Sequence, residues 1–276
     1  MAWSLVTPAN RGIGFALTRH LLQTTRAPVV ATTRRDPDGV RRALLTDLND
    51  VDSHRLNVLE LDVTGNLRFL LTREGGTDEA SISAAAARVR SLFTSPASHL
   101  RLAYVIPGIL HPERSPSQID ATAALDTFKI NALGPMLVMK HFSDFLPGKK
   151  TTLDARERGF APHAVWATMS ARVGSTTDNG LGGWYSYRAS KAAVNSFTKT
   201  FDLFLRNRSG EKAMAIATHP GTVKTGLSEE FWGNVEKGKL FSPEYAAERL
   251  AKLARELQLE EGRGRCWDWA GKEIPP

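Results

Sequence analysis

The sequence predicts a single-domain α/β protein, a doubly wound parallel sheet with helices on both faces. Short apolar runs alternate along the chain with longer segments whose apolar residues have helical spacing. This alternation is typical of parallel strands connected by helices. The 276 residues contain no internal repeat, low-complexity tract or linker, so we expect one domain over residues 1–276.

Each predicted strand is a short apolar run, and the seven runs lie at residues 2–7, 28–33, 56–63, 100–106, 163–168, 212–218 and 265–269. The segments between them have helical periodicity, with helices expected at 14–23, 38–48, 78–93, 118–145, 184–207 and 243–257. Ligands of such sheets bind beyond the carboxyl ends of the strands. We therefore expect functional residues in the loops that follow strands.

The composition is that of a globular protein with a basic charge balance. Lys and Arg number 36 against 29 Asp and Glu, which leaves a net charge of +7. The basic residues are scattered, so we expect no nucleic-acid binding; attraction of a phosphorylated cofactor is the simpler use of the charge. No apolar run reaches the length of a membrane span, so no membrane association is expected. Because Cys266 is the only cysteine and no secretion signal is present, we expect a cytoplasmic protein.

A tyrosine and a lysine lie four residues apart in the segment Tyr187-Arg-Ala-Ser-Lys191. The segment has helical periodicity, and residues four apart share one face of a helix. A free phenol has a pKa of about 10 and is a poor acid–base group at neutral pH. A cation nearby favours the phenolate and would lower that pKa. The pair is therefore a candidate proton donor and acceptor for carbonyl chemistry, although a chain of this length can carry such a pair by chance.

A glycine loop joins the first predicted strand to the first helix and makes the predicted sheet Rossmann-type. Its candidate cofactor-binding residues are Thr7, Arg11, Gly12, Ile13 and Gly14. Glycines allow the backbone to approach a phosphate, and a helix N-terminus offers free N–H groups and the positive end of its dipole. A purely structural turn is the alternative, but the position between strand and helix favours phosphate binding.

The residues after the second strand favour NADP(H) over NAD(H). An NAD site typically has an acidic residue at the end of this strand to hold the ribose hydroxyls. Here the strand ends in Thr33-Arg34-Arg35, and the first carboxylate is Asp36. A guanidinium at Arg34 suits a 2′-phosphate, and Arg11 can join it. Asp62, after the third strand, is a candidate acceptor for the adenine amino group; capping of a turn near Thr64 is its alternative role.

The chain resembles the short-chain dehydrogenase/reductase family over essentially its whole length. The glycine loop at 7–14, the pair Tyr187 and Lys191, and Pro220-Gly-Thr-Val223 have the order and spacing of that family. The stretches at 169–191 and 220–226, together with the ending at 267–275, are similar to its C-factor-like carbonyl reductase subgroup.

The resemblance implies catalytic roles for four residues. Tyr187 would be the general acid in carbonyl reduction, and Lys191 would lower the pKa of Tyr187 and bind the nicotinamide ribose. Ser170 would hydrogen-bond the substrate oxygen; Ser175 is a weaker candidate for that role, and a helix or turn cap is the alternative for Ser170. Asn131 would support a water-linked proton relay to Lys191.

The resemblance also implies that Val63, Pro220, Val223 and Thr225 contact the cofactor, the last two at the nicotinamide carboxamide. The chain departs from the family pattern at three places. Pro8 replaces the first loop glycine, and Val105 replaces an asparagine that contacts the cofactor in the family. Residues 65–76 have no counterpart in the family pattern and are expected to form an inserted loop; a segment carried in by a gene-model error is the alternative.

The leading hypothesis is an NADP(H)-dependent oxidoreductase that transfers a hydride between the nicotinamide and a small carbonyl or alcohol substrate. The alternative is a non-catalytic NADP(H)-binding sensor or partner-binding protein on the same fold, which Pro8 and Val105 favour.

No metal site is expected, because His219 has no second ligand at metal spacing. The helices at 118–145 and 184–207 are those that family members pack into dimers or tetramers, so we expect a homodimer or homotetramer. Phe231 and Trp232, in the loop that shapes the substrate site, indicate an apolar or aromatic substrate.

Overall fold

The computed structural model describes residues 1–64, 79–154 and 157–276. The expected inserted loop at 65–76 lies outside these residues. The strands are β1 (Ala2–Thr7), β2 (Val29–Thr33), β3 (Leu56–Glu60), β4 (His99–Val105), β5 (Ala164–Met169), β6 (Ala213–His219), β7 (Thr222–Val223), β8 (Leu240–Phe241), β9 (Cys266–Asp268) and β10 (Glu273–Ile274). The helices are α1 (Gly12–Thr24), α2 (Pro37–Leu45), α3 (Ala80–Leu92), α4 (Ala121–Phe128), α5 (Gly134–Phe142), α6 (Tyr185–Ser209), α7 (Pro243–Glu256) and α8 (Leu259–Gly262).

Within the described ranges, eight strands form one sheet in the order β3-β2-β1-β4-β5-β6-β9-β10. All neighbouring strands are parallel except β9 and β10, which are antiparallel. The strand order reverses at β1, which pairs with β2 on one side and β4 on the other. This reversal opens a crevice at the carboxyl ends of β1 and β4, where doubly wound sheets bind their ligands. The predicted fold is confirmed, and the antiparallel edge strand β10 is an addition to it.

Both faces of the sheet are covered by helices, and successive strand residues point to opposite faces. In β1, Leu5 belongs to one apolar cluster and Val6 to the other. The Val6 cluster packs the sheet against α1, α2 and α7; the Leu5 cluster packs it against α3, α5 and α6. Helices on both faces were predicted from the alternation of patterns, and the two clusters account for that arrangement physically.

The segment predicted as one helix at 118–145 is interrupted in its middle. A wider π turn, Lys129–Leu133, separates α4 from α5, and a 3-10 turn, Ser143–Phe145, ends the segment. Pro135 accounts for the interruption, because proline has no N–H to donate to the carbonyl four residues earlier, which is that of Asn131. Such turns are frequent at functional sites, and this one carries Asn131.

Two short strands, β7 and β8, pair outside the main sheet and were not predicted. They enclose the loop that carries a 3-10 helix at Glu229–Asn234. The hydrogen bond from Lys224 N to Phe241 O, 2.9 Å long, extends this pairing. Two-residue strands have too few residues for a period, so their pattern cannot be recognised in sequence. Among the described helices, none combines the length and apolarity needed to cross a membrane.

Candidate active site

Tyr187 and Lys191 lie in the first turns of α6, and both side chains are buried. Tyr187 is 7% exposed and Lys191 is 1% exposed. The Lys191 Nζ lies 5.7 Å from the centroid of the Tyr187 ring. It also donates a 2.9 Å hydrogen bond to the carbonyl of Met169, at the end of β5. The two groups thus share one face of the helix at the carboxyl edge of the sheet.

Burial controls the protonation of both groups. It raises the pKa of the Tyr187 phenol above its ordinary value and lowers the pKa of the Lys191 ammonium to about 8, because each charged form loses its contact with water. Burial is the cause of the raised phenol pKa, and the lowering of that pKa by Lys191 stays a prediction. The phenol is protonated at neutral pH, which is the form that donates a proton.

Asn131 joins three parts of the site and is fully buried. Its Oδ1 accepts a hydrogen bond from Ile109 N at 2.8 Å, and its Nδ2 donates to Ile109 O at 2.9 Å and to Ser190 Oγ at 3.1 Å. A Cβ atom at Gly108 would lie 3.7 Å from both Asn131 Oδ1 and Lys191 Nζ. The π turn, the loop after β4 and α6 therefore meet around Asn131, beside Lys191.

Ser170 lies where the sequence places it, at the end of β5, but its hydroxyl is engaged along α6. Ser170 Oγ donates to Asn195 Oδ1 at 2.6 Å and lies 3.3 Å from Lys191 O. Asn195, four residues after Lys191, is a partner that the sequence reading missed. The rival Ser175 Oγ donates to Pro276 O at 3.2 Å and accepts from Asp178 N at 3.0 Å. Both serine hydroxyls thus have protein partners of their own.

The glycine loop at residues 7–14, here named the phosphate loop for its predicted role, leads into the N-terminus of α1 and depends on Gly14. A Cβ atom at Gly14 would overlap the carbonyl oxygen of Pro8 and would lie 3.1 Å from Ile106 Cδ1. The Thr7–Pro8 peptide bond is cis. Thr7 Oγ1 accepts a 2.7 Å hydrogen bond from Thr32 Oγ1, which joins the loop to β2. The first turn of α1 contains no acidic residue, so its positive end is available to an anion.

The loop after β6 closes over the phosphate loop. A Cβ atom at Gly12, whose φ is +55°, would lie 3.1 Å from Thr225 Cγ2. Pro220 and Val223 are buried, and the Val223 carbonyl accepts a hydrogen bond from Ser228 Oγ. The loop that the sequence predicts to bind phosphate and the loop that the family resemblance assigns to the nicotinamide are therefore in contact at the carboxyl edge of the sheet.

The residues at the predicted adenosine end of the cofactor site are of two kinds: exposed cationic side chains, and carboxylates that cap a helix or a turn. Arg11 and Arg34 are exposed at the starts of α1 and of the loop after β2. Asp36 caps α2, with Oδ1 accepting from Gly39 N at 2.9 Å. Asp62 Oδ1 accepts from Thr64 N at 2.7 Å and from Thr64 Oγ1 at 2.5 Å. The turn-capping alternative for Asp62 is therefore present in the structure, through one of its two oxygens.

The remaining predicted cofactor contacts, Ile13 and Val63, are half-buried. Ile13 packs against the cluster under α1, and Val63 packs so closely on Gly134 that a Cβ there would lie 2.8 Å from Val63 Cβ. Val105 is fully buried in the sheet, where it pairs with Thr7. The adjacent Ile106 N donates to Thr7 O at 2.7 Å, so backbone bonds hold the sheet together where the family pattern has asparagine.

Two side chains lie beside Tyr187 and Ser186: Trp184, one of the aromatic residues that the sequence assigns to packing or to the wall of the substrate pocket, and Glu113, which has no signal in the sequence. Trp184, immediately before α6, has a left-handed backbone with φ of 51°. Its indole lies 6.1 Å from the Tyr187 ring and 4.9 Å from the Phe231 ring, measured between centroids. Glu113 is 3% exposed and accepts hydrogen bonds from Ser186. Of the aromatic residues near the site, Trp184 is the one in contact with Tyr187, whereas Trp269 packs on Phe241.

His219 adjoins Pro220 at the end of β6, and burial lowers its pKa to about 4. In the described parts of the chain, no group of three His, Cys, Asp or Glu side chains is close enough to hold a metal ion.

Comparisons with known proteins agree with this architecture, although no family model matches the chain. The C-signal protein of Myxococcus xanthus is 31% identical over 157 residues, which cover 57% of this chain and 81% of that protein. The 1-hydroxy-2-glutathionyl-2-methyl-3-butene dehydrogenase of Rhodococcus sp. (strain AD45) is 29% identical over 193 residues, 69% of this chain and 74% of that protein.

Solved structures are similar over the full length. An NADPH-bound carbonyl reductase from chicken fatty liver superposes with a TM-score of 0.76 at 28% identity, covering 99% of this chain and 98% of that chain. The carbonyl reductase Sniffer of D. melanogaster superposes with a TM-score of 0.76 at 20% identity, covering 100% of this chain and 98% of that chain. At this identity the similarity supports the fold and not the function.

Fold and site together define an oxidoreductase built on a doubly wound sheet. The chain belongs to the short-chain dehydrogenase/reductase family. The resemblance stated from sequence, including that to the C-factor-like carbonyl reductases, is thereby confirmed.

Proposed function

We propose that this protein is an NADP(H)-dependent carbonyl reductase, or the reverse alcohol dehydrogenase, with Tyr187 as its general acid and base. One observation carries the proposal. The buried phenol of Tyr187 and the ammonium of Lys191 lie together at the carboxyl edge of the sheet, beside Asn131 and the loop after β4. Ligands of doubly wound sheets bind at this edge.

The residues present fit a dinucleotide phosphate. The phosphate loop leaves no room for a side chain at Gly14, and the first turn of α1 is free of acidic residues. The 2′-phosphate would be held by Arg34 and Arg11, both exposed, whereas Asp36, the nearest acid, is occupied as a helix cap. The solved relative from chicken fatty liver binds NADPH, which supports the same cofactor here.

The remaining cofactor contacts would come from Thr7, Gly12, Ile13, Asp62 and Val63 at the phosphate and adenosine end. At the nicotinamide end they would come from Asn131, Tyr187, Lys191, Pro220, Val223 and Thr225. When bound, NADPH supplies the hydride for carbonyl reduction.

The protein supplies the proton. Tyr187 donates its phenolic proton to the carbonyl oxygen. Burial keeps the phenol protonated at neutral pH but also makes it a weaker acid. Lys191, close to the phenol, stabilises the phenolate that remains after transfer. Asn131 fixes the loop after β4 against α6, so Lys191 keeps its place beside the reacting oxygen.

The test is a comparison of purified wild type with Tyr187→Phe, which removes the proton and keeps the ring. NADPH oxidation is followed by absorbance with a panel of aldehydes and ketones. We expect turnover by wild type and a loss of about 10²- to 10⁴-fold in the variant, the usual contribution of a general acid. NADPH binding, measured by fluorescence titration, is expected to be equal in both. Equal turnover in both proteins would refute the role of Tyr187.

A second candidate function is a non-catalytic NADP(H)-binding sensor or partner-binding protein. The observation that favours it is the engagement of Ser170 Oγ by Asn195, which takes the hydroxyl away from a substrate oxygen. This candidate predicts tight NADPH binding, no turnover across the carbonyl panel, and cellular phenotypes that are equal for wild type and Tyr187→Phe.

We further propose that a single domain at 1–276 assembles as a homodimer or homotetramer through α5 and α6. These helices border an apolar cleft of about 380 Å³, lined among others by Leu133, Met136, Phe201 and Phe204. Leu133, Met136 and Phe204 are each more than two-fifths exposed, and burial against a second copy would remove this apolar surface from water. A cytoplasmic location remains our proposal on the basis of the single, buried Cys266.

A further inference from the structure

The N-terminus of α6, nearly two turns before Lys191, is capped by a residue from a distant part of the chain. Helices commonly begin with Ser, Thr, Asp or Asn, whose side chains accept from the first free N–H groups. The residue at this position is Trp184, which forms no such bond. The acceptor is instead Glu113, 73 residues earlier: its Oε2 accepts from Ser186 N at 2.7 Å and its Oε1 from Ser186 Oγ at 2.5 Å.

The backbone of Glu113 holds Trp184 as well. Glu113 O accepts a 2.6 Å hydrogen bond from Trp184 N. Gly182, Gly183 and Trp184 all have left-handed φ values, of 65°, 67° and 51°. Glycine adopts this conformation without steric cost, but a bulky residue does so only where the surroundings hold it. Glu113 therefore contacts the helix start through both its side chain and its main chain.

The consequence of this conformation is the position of the Trp184 indole. It stands edge to face with the Tyr187 ring, at an interplanar angle of 81°, and also contacts Phe231 of the loop between β7 and β8. Trp184 is half-buried, and its indole is adjacent to the ring of the proposed proton donor. The three rings form a continuous aromatic surface that begins at the reacting phenol.

The negative charge of a carboxylate suits the position of Glu113 at the start of α6. The Glu113 carboxylate lies at the positive end of the 25-residue helix α6, where a negative charge is stabilised by the helix dipole and by unpaired N–H groups. A buried carboxylate costs free energy unless it is hydrogen-bonded. Both of its oxygens are bound by Ser186, the residue that precedes Tyr187.

We propose that Glu113 is a positioning residue for the substrate site, and that Trp184, held left-handed by Glu113, is the aromatic wall that selects planar, aromatic carbonyl substrates over small aliphatic ones. This inference rests on the proposed carbonyl reductase activity. Glu113 acts through Trp184 and the start of α6, and Trp184 contacts the substrate.

The experiment compares Glu113→Gln and Trp184→Gly with wild type on 4-nitrobenzaldehyde and propanal at saturating NADPH. Asp120→Ala is the matched control, because Asp120 is an exposed carboxylate that caps α4 through Ala123 N. For Glu113→Gln we expect kcat/KM with 4-nitrobenzaldehyde to fall about tenfold to a hundredfold, since a shift of about 1 Å in a positioning group has effects of this size.

Trp184→Gly places the residue best suited to φ of 51° at this position, so the variant is expected to fold. It should lower kcat/KM for 4-nitrobenzaldehyde clearly more than kcat/KM for propanal, and Trp184→Phe should restore much of the preference. Asp120→Ala should match wild type on both substrates. Equal changes on both aldehydes in Trp184→Gly, or wild-type kinetics in Glu113→Gln, would overturn the proposal.

Hydrogen exchange of the peptide 183–190 gives a readout that needs no turnover. Glu113→Gln should exchange faster than Asp120→Ala in this peptide, and equal exchange would also overturn the role of Glu113. If wild type binds NADPH but reduces neither aldehyde, the proposed function fails while the exchange result still decides on Glu113. Should Glu113→Gln fail to fold, Ser186→Ala removes only the Oγ donor and is expected to change exchange and selectivity in the same direction.

Discussion

Gly14→Ala tests the phosphate loop most directly, because the structure shows what the added methyl group would meet. Its Cβ would overlap the carbonyl oxygen of Pro8 and lie 3.0 Å from the carbonyl carbon and 3.1 Å from Ile106 Cδ1. A backbone carbonyl cannot rotate away as a flexible side chain can. The loop and the first turn of α1 must therefore separate by about 1 Å, a shift large enough to disturb a positioned ligand.

Two opposing effects set the change in stability. Overpacking of this kind costs about 1–3 kcal/mol, and alanine in place of glycine in a helix returns about 1 kcal/mol. The net loss is about 0–2 kcal/mol, and each kcal/mol lowers Tm by about 2–4 °C in a domain of this size. The binding free energy of NADPH should weaken by more than the free energy of unfolding does, because the displaced backbone is the part of the loop that approaches the phosphates.

Thermal unfolding and fluorescence titration with NADPH measure the two effects separately. Gly148→Ala is the control, because a Cβ there has no atom within 4 Å, and it should match wild type in both assays. Wild-type Tm and wild-type NADPH affinity in Gly14→Ala would refute the reasoning. A lowered Tm with unchanged affinity would place the cofactor phosphates elsewhere.

Three further predictions concern charge and assembly. Burial lowers the pKa of Lys191 to about 8, so between pH 8 and the ordinary lysine pKa the unfolded chain binds a proton that the folded chain does not. The free energy of unfolding of wild type, relative to that of Lys191→Met, should therefore rise with pH over this window. Urea unfolding at a series of pH values measures it. Arg34→Ala should weaken NADPH binding about tenfold or more by removing a charge-assisted hydrogen bond, with NADH affinity unchanged as the internal control; an equal loss for both cofactors contradicts a 2′-phosphate contact. Phe204→Glu should reduce the mass measured by light scattering to that of a monomer, whereas Leu181→Glu, in an exposed loop, should not.

The strands were predictable because their pattern is local. The first strand was predicted at 2–7 and β1 has those bounds, since a fully buried strand is a continuous apolar run with turn residues on either side. The third was predicted at 56–63, but β3 ends at Glu60, because the apolar run continues into a turn where Asp62 is bound by Thr64. The edge strand β10 contains two residues, Glu273 and Ile274, and exists only through its pairing with β9.

The candidate site likewise has features that local sequence predicts and features that only tertiary contacts create. The sequence by itself determined the alternation of strands and helices, the glycine loop and the pairing of Tyr187 with Lys191, because each depends on residues a few positions apart. Tertiary structure decided the burial that raises the phenol pKa, the direction of the Ser170 hydroxyl toward Asn195, and the hold of Glu113 on Trp184 and Ser186. These depend on contacts between segments tens of residues apart, which form only when the sheet brings the carboxyl ends of its strands to one edge.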